Sequence, residues 1–338
     1  MPTPNVQEVP TRESVCAVVP TYNCKEPLAN CLDVVRRQTR PVDEIIVVDS
    51  ASTDGTREMI DERFWGSLTY IRLTENLGGA GGFDRGMRLA HERGHDWVWC
   101  LDSDALPTEG ALENLLCANF PSERPIVAKT CLFRDPRTGR ISPGGRSDIR
   151  RGGSRGRWDG KVLPINFATL CCLLVRTSAA QQAGFIRTDL FIYFDEDFFS
   201  YEIRKLGEII QVGTVIVNHG GAGGKITSPR YGRERMLVEA YWRIYYRYRN
   251  QFLFEKHCHG FWRAAAWLTY SVLRALAGII LFDDHKLYRI GLMTRAYFDG
   301  LLGRSGKRVD PRDFQFRHSS RPPTHGACED IIEEPGND

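Results

Sequence analysis

The sequence lacks the cysteine spacing of a zinc or disulfide protein. It contains ten cysteines in 338 residues, but no two of them form a Cys-x-x-Cys pair, and most lie inside apolar runs. Structural zinc and a disulfide framework are therefore not expected. Buried, reduced thiols in a cytoplasmic protein are the simpler interpretation.

A strong excess of charge of one sign is also missing. Lys and Arg number 45 against 42 Asp and Glu, a formal net charge of +3, which does not indicate nucleic-acid binding. No internal repeat is visible, and the polar start MPTPNVQEVPTRES does not resemble a secretory signal peptide. With 42% hydrophobic residues, the chain suits one large α/β domain with an appendage, or two domains.

One apolar run raises the question of a membrane. Residues 264–282 are apolar apart from Arg274 and a few hydroxyl groups, and a spanning helix needs about 20 such residues. Because Arg274 would lie near the bilayer centre at high cost, a packed or interfacial helix is favoured over a spanning one. Aromatic and basic residues alternate over 241–249 and 261–263, which is typical of contact with an anionic membrane surface; packing against the rest of the protein is an equal alternative.

What the first hundred residues do contain is an alternation of strand and helix. Apolar, β-branched runs predict strands, and amphipathic segments between them predict helices. The predicted strands are 14–19, 44–48, 68–73 and 96–101, and the predicted helices are 27–38, 53–63 and 78–93. This alternation predicts an α/β fold with a mostly parallel, Rossmann-like sheet and helices on both faces.

The rest of the chain is less regular. Residues 134–161 are rich in Gly, Arg and Ser and predict a mobile loop or a long irregular hairpin. Further on we predict a strand at 165–175, a short helix at 178–183, a strand end running into a helix at 191–207, a strand at 208–217 and mostly helix after Tyr231. The expected divisions are a flexible N-terminus (1–13), an α/β domain (14–228), a helical region (229–310) and a polar tail (311–338).

Polar residues follow all four early strands. Carboxyl ends of parallel strands meet at one edge of a sheet, where ligands bind. The residues at these ends are Thr21 to Asn23, then Asp49 to Ser52, then Thr74 to Asn76, then Asp102 to Asp104. Their common position supports a ligand site better than any single motif does.

The pair Asp102 and Asp104 follows the apolar strand WVWCL. Two carboxylates one residue apart can hold Mg²⁺ or Mn²⁺ against diphosphate oxygens. Asp-x-Asp is common, however, and taken alone it favours a solvated turn. Asp49 could accept hydrogen bonds from a uracil edge or a ribose hydroxyl; the alternative is an ordinary helix cap, which Ser52 or Asp54 could supply equally well.

Four glycines in five residues open the third helix, between Asn76 and Phe83. Among them Gly78, Gly79 and Gly82 could direct backbone amides at a phosphate. A dinucleotide-binding fingerprint would instead lie directly after the first strand. A dehydrogenase is therefore not favoured.

Two later segments carry groups suited to catalysis. Asp195, Glu196 and Asp197 open a helix; they could merely complement its dipole, or one of them could remove the proton from a sugar hydroxyl. His219 follows a strand and precedes two glycines. It could complete a metal site or simply cap the strand.

In this order, six segments resemble glycosyltransferase family 2, which has the GT-A fold. They are VVPTYN (18–23), VVDSASTDGT (47–56), NLGGAGGF (76–83), CLDSDA (100–105), FDEDFFSYEIRKLG (194–207) and NHGG (218–221). The resemblance implies an inverting hexosyltransferase that uses a UDP- or dTDP-linked sugar with Mn²⁺ or Mg²⁺.

The resemblance also implies roles for individual residues. The family usually has an aspartate where this chain has Glu196, so the order for the catalytic base is Glu196, Asp195, Asp197. The metal would be held by Asp104 with Asp102 and His219. The nucleotide sugar would contact Pro20, Thr21, Tyr22, Asn23, Asp49, Ser52, Asn76, Gly78, Gly79, Gly82, Asp102 and Ser103.

The glycine segment and residues 245–257 and 298–307 are similar to the galactofuranosyltransferase and rhamnosyltransferase branches. This likeness implies a lipid-linked or polysaccharide acceptor in cell-surface or cell-wall glycan synthesis, and a cytoplasmic protein peripheral at the inner face of the membrane. A Gln-x-x-Arg-Trp motif, typical of processive synthases, is not evident. A homodimer through the helical region is left open.

Two other functions compete with glycosyl transfer. A sugar nucleotidyltransferase would need a Gly-rich loop bearing Lys or Arg just after the first strand, where this chain has Pro20 to Asn23. The other is a non-catalytic carbohydrate-binding or scaffold protein. Such a protein would have no need for a base and a metal site together.

Overall fold

A ten-stranded mixed sheet lies at the centre of the protein. The computed structural model describes residues 12–146, 160–219, 225–227, 234–236, 241–283 and 285–310. The strands are β1 (Val15–Thr21), β2 (Glu44–Asp49), β3 (Thr69–Arg72), β4 (Trp97–Cys100), β5 (Leu106–Pro107), β6 (Ile126–Arg134), β7 (Ile141–Pro143), β8 (Gly145–Arg146), β9 (Val162–Ile165), β10 (Phe167–Ala168), β11 (Leu173–Arg176), β12 (Glu208–Asn218), β13 (Lys225–Thr227) and β14 (Glu234–Met236).

The sheet runs in the order β3-β2-β1-β4-β11-β6-β12-β5, with β7 beside β6 and β9 beside β12. Six of its strands, β1 to β4, β6 and β12, point in one direction. The inserted strand β11 is antiparallel to both of its neighbours. The expected α/β fold with a mostly parallel sheet is therefore confirmed. Two short pairs, β8–β10 and β13–β14, stand apart from it.

Helices cover both faces of the sheet because side chains alternate along each strand. In β1, Val15, Ala17 and Val19 join one hydrophobic cluster, whereas Cys16 and Val18 join the other. The helices are α1 (Lys25–Arg36), α2 (Thr56–Arg63), α3 (Gly78–Glu92), α4 (Ala111–Cys117), α5 (Thr177–Gln182), α6 (Asp195–Leu206), α7 (Trp242–His259), α8 (Phe261–Phe282) and α9 (Lys286–Leu301). The first cluster takes in α1, α2 and α4, and the second α3, α5 and α6.

The structure corrects two of the predicted elements and adds others that were not predicted. Residues 165–175 are not one strand, because the chain turns twice between β9 and β11. Residues 191–194 are a turn with left-handed backbone at Phe191, Tyr193 and Phe194, and no strand leads into α6. β14 precedes the helices predicted after Tyr231. Residues 106–134 hold β5, α4 and β6, for which no element was predicted.

The predicted loop at 134–161 begins as a hairpin, since β7 pairs antiparallel with β6. Its residues 147–159, like the N-terminal residues 1–11 and the tail from 311, lie outside the described part of the chain. Because nothing else bears on the domain boundaries at 13, 228 and 310, they stay a prediction.

Helices α7, α8 and α9 pack together at the C-terminal end of the described chain. Tyr241, just before α7, and Tyr245 and Tyr246 of α7 form a cluster with Phe191, which joins these helices to the turn before α6. α8 is long and apolar enough to cross a membrane, judged by length and composition alone, and only 6% of its most apolar window is buried in the protein. The preference for a packed or interfacial helix stays a prediction.

Candidate active site

The Asp102–Asp104 segment lies in a tight turn at the carboxyl end of β4. Residues 97–100 are buried, and the Leu101 amide donates to the Val18 carbonyl at 3.0 Å, which extends the sheet register beyond the strand. The Ala105 amide then donates to the Asp102 carbonyl at 3.0 Å and closes the turn. Because the buried strand is anchored so firmly, the two aspartates are held at the edge of the sheet with their side chains 40% and 36% exposed.

His219 comes to the same turn from the end of β12. Its backbone amide donates to the Arg134 carbonyl at 3.0 Å. Its Nδ1 lies 3.2 Å from Oδ1 of Asp104, and its Nε2 lies 3.8 Å from Oδ2 of Asp102. Residues more than a hundred positions apart in the sequence are thus brought together as the predicted metal site required.

The charges of this trio are coupled. Surrounding protein atoms displace water from Asp102 and raise its pKa, and the neighbouring charge of Asp104 adds to the effect. Burial acts in the same direction on Asp104, but the His219 imidazole outweighs it, and the pKa of Asp104 is lowered. Burial would lower the pKa of His219, yet the two carboxylates outweigh it, and the pKa is raised. The site therefore favours positive charge.

The donor set of this trio fits a divalent cation. Although Nδ1 of His219 is close to Asp104, the geometry makes no hydrogen bond, and this buried nitrogen has no hydrogen-bond partner in the described chain. Buried polar atoms are rarely left in that state. The carboxylates of Asp102 and Asp104 and the imidazole of His219 are all ligands that Mn²⁺ accepts, whereas Mg²⁺ prefers the carboxylates.

Cys171 also lies at this site, although no sequence pattern pointed to it. Its sulfur lies within 4.8 Å of ligand atoms of both Asp102 and His219. Burial raises the pKa of the thiol well above its usual range, so it stays protonated and is a weak metal ligand. In the sequence it belongs to an apolar run, Leu170 to Val175, and resembled any buried cysteine.

The carboxylate of Asp49 is enclosed, with no exposed surface on its side chain. Oδ1 accepts a hydrogen bond from the Ser52 amide at 2.8 Å. Oδ2 accepts from the Tyr70 hydroxyl at 2.5 Å and from Arg72 at 3.0 Å. Contact with a nucleotide base, as predicted for this residue, would therefore need one of these donors to move. In the structure as it stands, Asp49 holds the loop and Arg72 in place.

Hydrogen bonds join the loop after β1 to the loop after β2. Asn23 has left-handed backbone, φ 48°; its amide donates to Oγ of Ser52 at 2.9 Å, and its Oδ1 accepts from the Thr53 amide at 2.8 Å. Tyr22 is exposed beside it, while Thr21 is buried and its hydroxyl oxygen has no hydrogen-bond partner in the described chain. The two predicted nucleotide-contact loops thus form one rigid rim.

Several glycines of α3 are required for close packing, and Gly78 and Gly82 illustrate this. Gly78 has φ +74°, and an added Cβ would lie 2.0 Å from the Phe191 carbonyl oxygen; its amide donates to Oδ1 of Asn76 at 2.8 Å. An added Cβ at Gly82 would lie 2.6 Å from Cβ of Pro20. Gly79, in contrast, faces open space. Part of the glycine pattern therefore serves the approach of α3 to β1 and to the 191–194 turn.

Three consecutive acidic residues begin α6, in three different environments. Oε2 of Glu196 accepts a hydrogen bond from the Leu170 amide at 2.9 Å. Asp197 is buried and paired with Arg146 at 2.5 Å. Asp195 is buried without an ion pair in the described chain. Of the three, Glu196 is the least buried.

Burial raises the pKa of all three carboxyl groups. It takes Asp195 to about 7 and Asp197 to about 6, in the second case against the opposing charge of Arg146. The pKa of Glu196 is raised well above its usual range by burial and by the charges of Asp195 and Asp197. The charge of Asp102 also raises the pKa of Asp195 and Glu196. Glu196 accepts a hydrogen bond from Leu170, and the next residue, Cys171, lies beside Asp102, so the acidic segment adjoins the same site.

The turn before α6 is held by two buried residues of α7 that sequence reasoning missed. Asn250 donates through Nδ2 to the carbonyls of Leu190, Ile192 and Tyr193, at 3.0, 2.9 and 2.9 Å. Arg249 also donates to Leu190, at 3.0 Å. Left-handed backbone at aromatic residues is costly and persists only where neighbours enforce it. Arg249 and Asn250 therefore fix the start of α6.

Comparison with known proteins agrees with the family resemblance and with the fold. The model of glycosyl transferase family 2 matches residues 16–184, half of the chain. Galactofuranosyltransferase GlfT1 of Mycolicibacterium smegmatis is 40% identical over 126 residues, which are 37% of this chain and 41% of that protein. Low-salt glycan biosynthesis hexosyltransferase Agl10 of Haloferax volcanii is 21% identical over 304 residues, 87% of this chain and 93% of that protein. The chain thus matches less than half the length of the first relative.

Two solved structures share the fold. Mannosyltransferase PcManGT from Pyrobaculum calidifontis, in complex with GDP-Man and Mn²⁺, aligns with a TM-score of 0.50 at 19% identity, over 87% of this chain and 89% of that one. GalNAc-T7 with UDP, GalNAc and Mn²⁺ aligns with a TM-score of 0.55 at 16% identity, over 86% and 55%. At these identities the likeness concerns the fold, and it agrees with the expected GT-A arrangement.

Proposed function

The chain is a glycosyltransferase of family 2, and from that premise we propose that it transfers a sugar, with inversion, from a nucleoside diphosphate donor to an acceptor hydroxyl. The observation that carries the proposal is the convergence of Asp102, Asp104 and His219 at one sheet edge, with the acidic segment 195–197 close by. One group of residues suits the diphosphate, and the other suits proton removal.

We assign metal binding to Asp104, with Asp102 and His219. When bound there, Mn²⁺ or Mg²⁺ would supply positive charge for the departing diphosphate. The rim formed by Pro20 to Asn23, Asp49 and Ser52 would position the nucleotide, which is UDP or dTDP in our proposal. Asn76, the glycines of α3 and Ser103 complete the donor side.

Glu196 is our first choice for the base. The Leu170 amide orients Oε2 at 2.9 Å, and Oε1, which has no hydrogen bond within the described residues, is assigned to the acceptor hydroxyl. As the acceptor oxygen bonds to the anomeric carbon, the bond from that carbon to the diphosphate oxygen breaks, and the hydroxyl proton passes to Glu196. A base with a raised pKa accepts that proton more readily near neutral pH. Asp195 is the second choice, and Asp197, engaged by Arg146, is the third.

The donor and acceptor follow from the relatives. We propose galactofuranose first, because GlfT1 is 40% identical over its matched part, and rhamnose second. The acceptor would be a lipid-linked or polysaccharide glycan of the cell surface, in keeping with relatives named for teichuronic acid and low-salt glycan biosynthesis. A GT-A domain at 14–228, a helical region at 229–310 and a peripheral position at the inner membrane face belong to the same proposal.

A panel of nucleotide sugars tests the function. We expect the wild-type protein with MnCl₂ to release nucleoside diphosphate from one donor by slow hydrolysis or by transfer. Glu196→Gln should reduce transfer at least about 100-fold, because general-base catalysis contributes roughly 10²- to 10⁴-fold. Glu62→Gln, on the exposed surface of α2, is the matched control and should keep the wild-type rate. Turnover of none of the donors would contradict the proposal.

A further inference from the structure

A cavity of about 650 Å³ lies between the start of α6 and helices α7 and α8. This volume is in the range of small-molecule sites, about 300–1,000 Å³. Asp197 and Phe194 form its wall on the side of the acidic segment, and α8 contributes Trp267 and Tyr270 on the other side. The cavity therefore opens beside the residues to which we assigned proton removal.

Positive charge dominates the lining. The lining contains four arginines and only two carboxylates, Asp197 and Glu255. The arginines are Arg146, Arg247, Arg263 and Arg274. Arg146 is paired with Asp197 and lies over the ring of Phe167, 3.7 Å from its centroid. Glu255 is 3.7 Å from His259.

The other three arginines form no ion pair within the described residues. Within the described residues, no carboxylate lies within 4.0 Å of the guanidinium of Arg247, Arg263 or Arg274. All three side chains are exposed, so they can turn toward a ligand. Guanidinium groups bind phosphate oxygens through paired, charge-assisted hydrogen bonds. The cavity is thus suited to an anion with several oxygens.

The apolar surface of α8 continues from the cavity. Trp262 is 83% exposed, and Leu273 and Leu281 are each 64% exposed. Arg263 and Arg274 lie on the same helix as these apolar residues, so one helix presents both a cationic and an apolar surface. This combination is complementary to an amphiphile with a phosphate head and a hydrocarbon chain.

We propose that the arginine-lined cavity binds the phosphate or diphosphate group of a lipid-linked acceptor, whose hydrocarbon chain lies along α8. The inference rests on the proposed function and names the class of acceptor for it. A saccharide attached to that group would extend past Phe194 toward Glu196.

The test measures binding of farnesyl diphosphate in neutral phosphatidylcholine vesicles, without divalent cations, so that the donor site does not compete. Wild-type protein should bind it at least about tenfold more tightly than the double variant Arg263→Gln/Arg274→Gln, a difference of about 1.4 kcal/mol. The matched control, Lys256→Gln/Lys286→Gln, removes the same charge from exposed helix positions that do not line the cavity. This control variant should bind farnesyl diphosphate within about twofold of wild type, because salt screens the charge of lysines that do not touch the ligand.

Further arms separate the sources of phosphate. Inorganic diphosphate and farnesol should each bind much more weakly than farnesyl diphosphate, and phosphatidylglycerol vesicles should not compete with it. Equal losses in both double variants, equal binding of inorganic diphosphate, or full competition by phosphatidylglycerol would overturn the proposal. Donor hydrolysis by the wild type is measured separately: its absence would contradict the proposed function, whereas farnesyl diphosphate binding reports on the cavity alone.

Discussion

The proposed donor side of the site, around Asp49 and Asp102, and the proposed acceptor side, around residues 195–197, are built in different ways. On the donor side, neighbouring loops hold each other: Asn23 bonds to Ser52 and Thr53, and Asp49 bonds to Tyr70 and Arg72. On the acceptor side, the turn before α6 depends on residues 57 to 60 positions later in the chain. The donor side is therefore a property of the sheet edge, whereas the acceptor side requires α7 to be docked.

This difference implies that the two sides can be impaired separately. A change in α7 should disturb the acidic segment and leave nucleotide binding intact. A change in the packing of α3 on β1 should affect the donor side together with the stability of the whole sheet.

The largest effect is expected for Asn250→Ala. The carbonyls of Leu190, Ile192 and Tyr193 lose a donor. Leu190 keeps Arg249 as a donor, whereas a buried carbonyl left without a partner costs about 1–3 kcal/mol. Glycosyl transfer should fall at least about 100-fold, as a misplacement of about 1 Å can do, while UDP affinity stays within about twofold. Transfer rates and calorimetric UDP binding measure both.

Asn250→Asp is the conservative companion to that variant, since it keeps the shape but removes the Nδ2 donors; it should be as impaired as the alanine variant. Asn119→Ala, at an exposed position after α4, should behave as wild type. A parallel loss of UDP binding and transfer in Asn250→Ala would show that the two sides are not separable.

A smaller effect, on stability, is expected for Gly82→Ala. The new Cβ would lie 2.6 Å from Cβ of Pro20, so α3 must move away from β1, at a cost of about 1–3 kcal/mol. Gly79→Ala is the matched control in the same helix, where the added methyl meets open space and alanine is the better helix former. Thermal unfolding should separate the two variants; equal melting temperatures would mean that the glycine pattern does not serve packing.

For Asp195→Asn we expect a gain in stability of similar size at neutral pH that disappears toward acidic pH. Burial raises the pKa of Asp195 from 3.8 to about 7, so the folded state holds this proton more tightly than the unfolded state. Wild-type stability is therefore lost progressively as pH rises through about 7. The variant avoids this loss.

We expect the advantage of Asp195→Asn to be absent near pH 4, to grow up to about pH 7 and then to stay constant, on the order of 1–3 kcal/mol. Thermal unfolding in metal-free buffer between pH 4 and pH 8 measures it. An advantage that is independent of pH would mean that Asp195 is already ionised in the folded protein.

The donor side could be predicted because short, local sequence patterns determine where its strands end. Apolar runs ending in Pro20, Asp49 and Asp102 identify strand ends, and the sheet then brings those ends to one edge. His219 was identified by the same rule and does lie beside Asp104. The sequence could not predict which hydrogen-bond donors reach each carboxylate. Tyr70 and Arg72, on the neighbouring strand β3, donate to Asp49 and enclose it.

The acceptor side was predicted only in part, because it depends on distant contacts. Asp195 to Asp197 were identified, but aromatic residues at 191–194 indicated a strand and instead adopt a left-handed turn. Asn250 resembled an ordinary polar residue of a helix, although it is buried and bonded to that turn. No local pattern in a sequence encodes such a pairing.

The most direct test of the central claim, that Asp102, Asp104 and His219 form a diphosphate–metal site, is calorimetric titration of UDP with and without MnCl₂. Wild-type protein should bind UDP at least about tenfold more tightly with Mn²⁺, about 1.4 kcal/mol, and Asp104→Asn should abolish that difference. Asp61→Asn, at a half-exposed helix position, should retain it. Equal binding of UDP by the wild type in MnCl₂ and in EDTA would contradict the account.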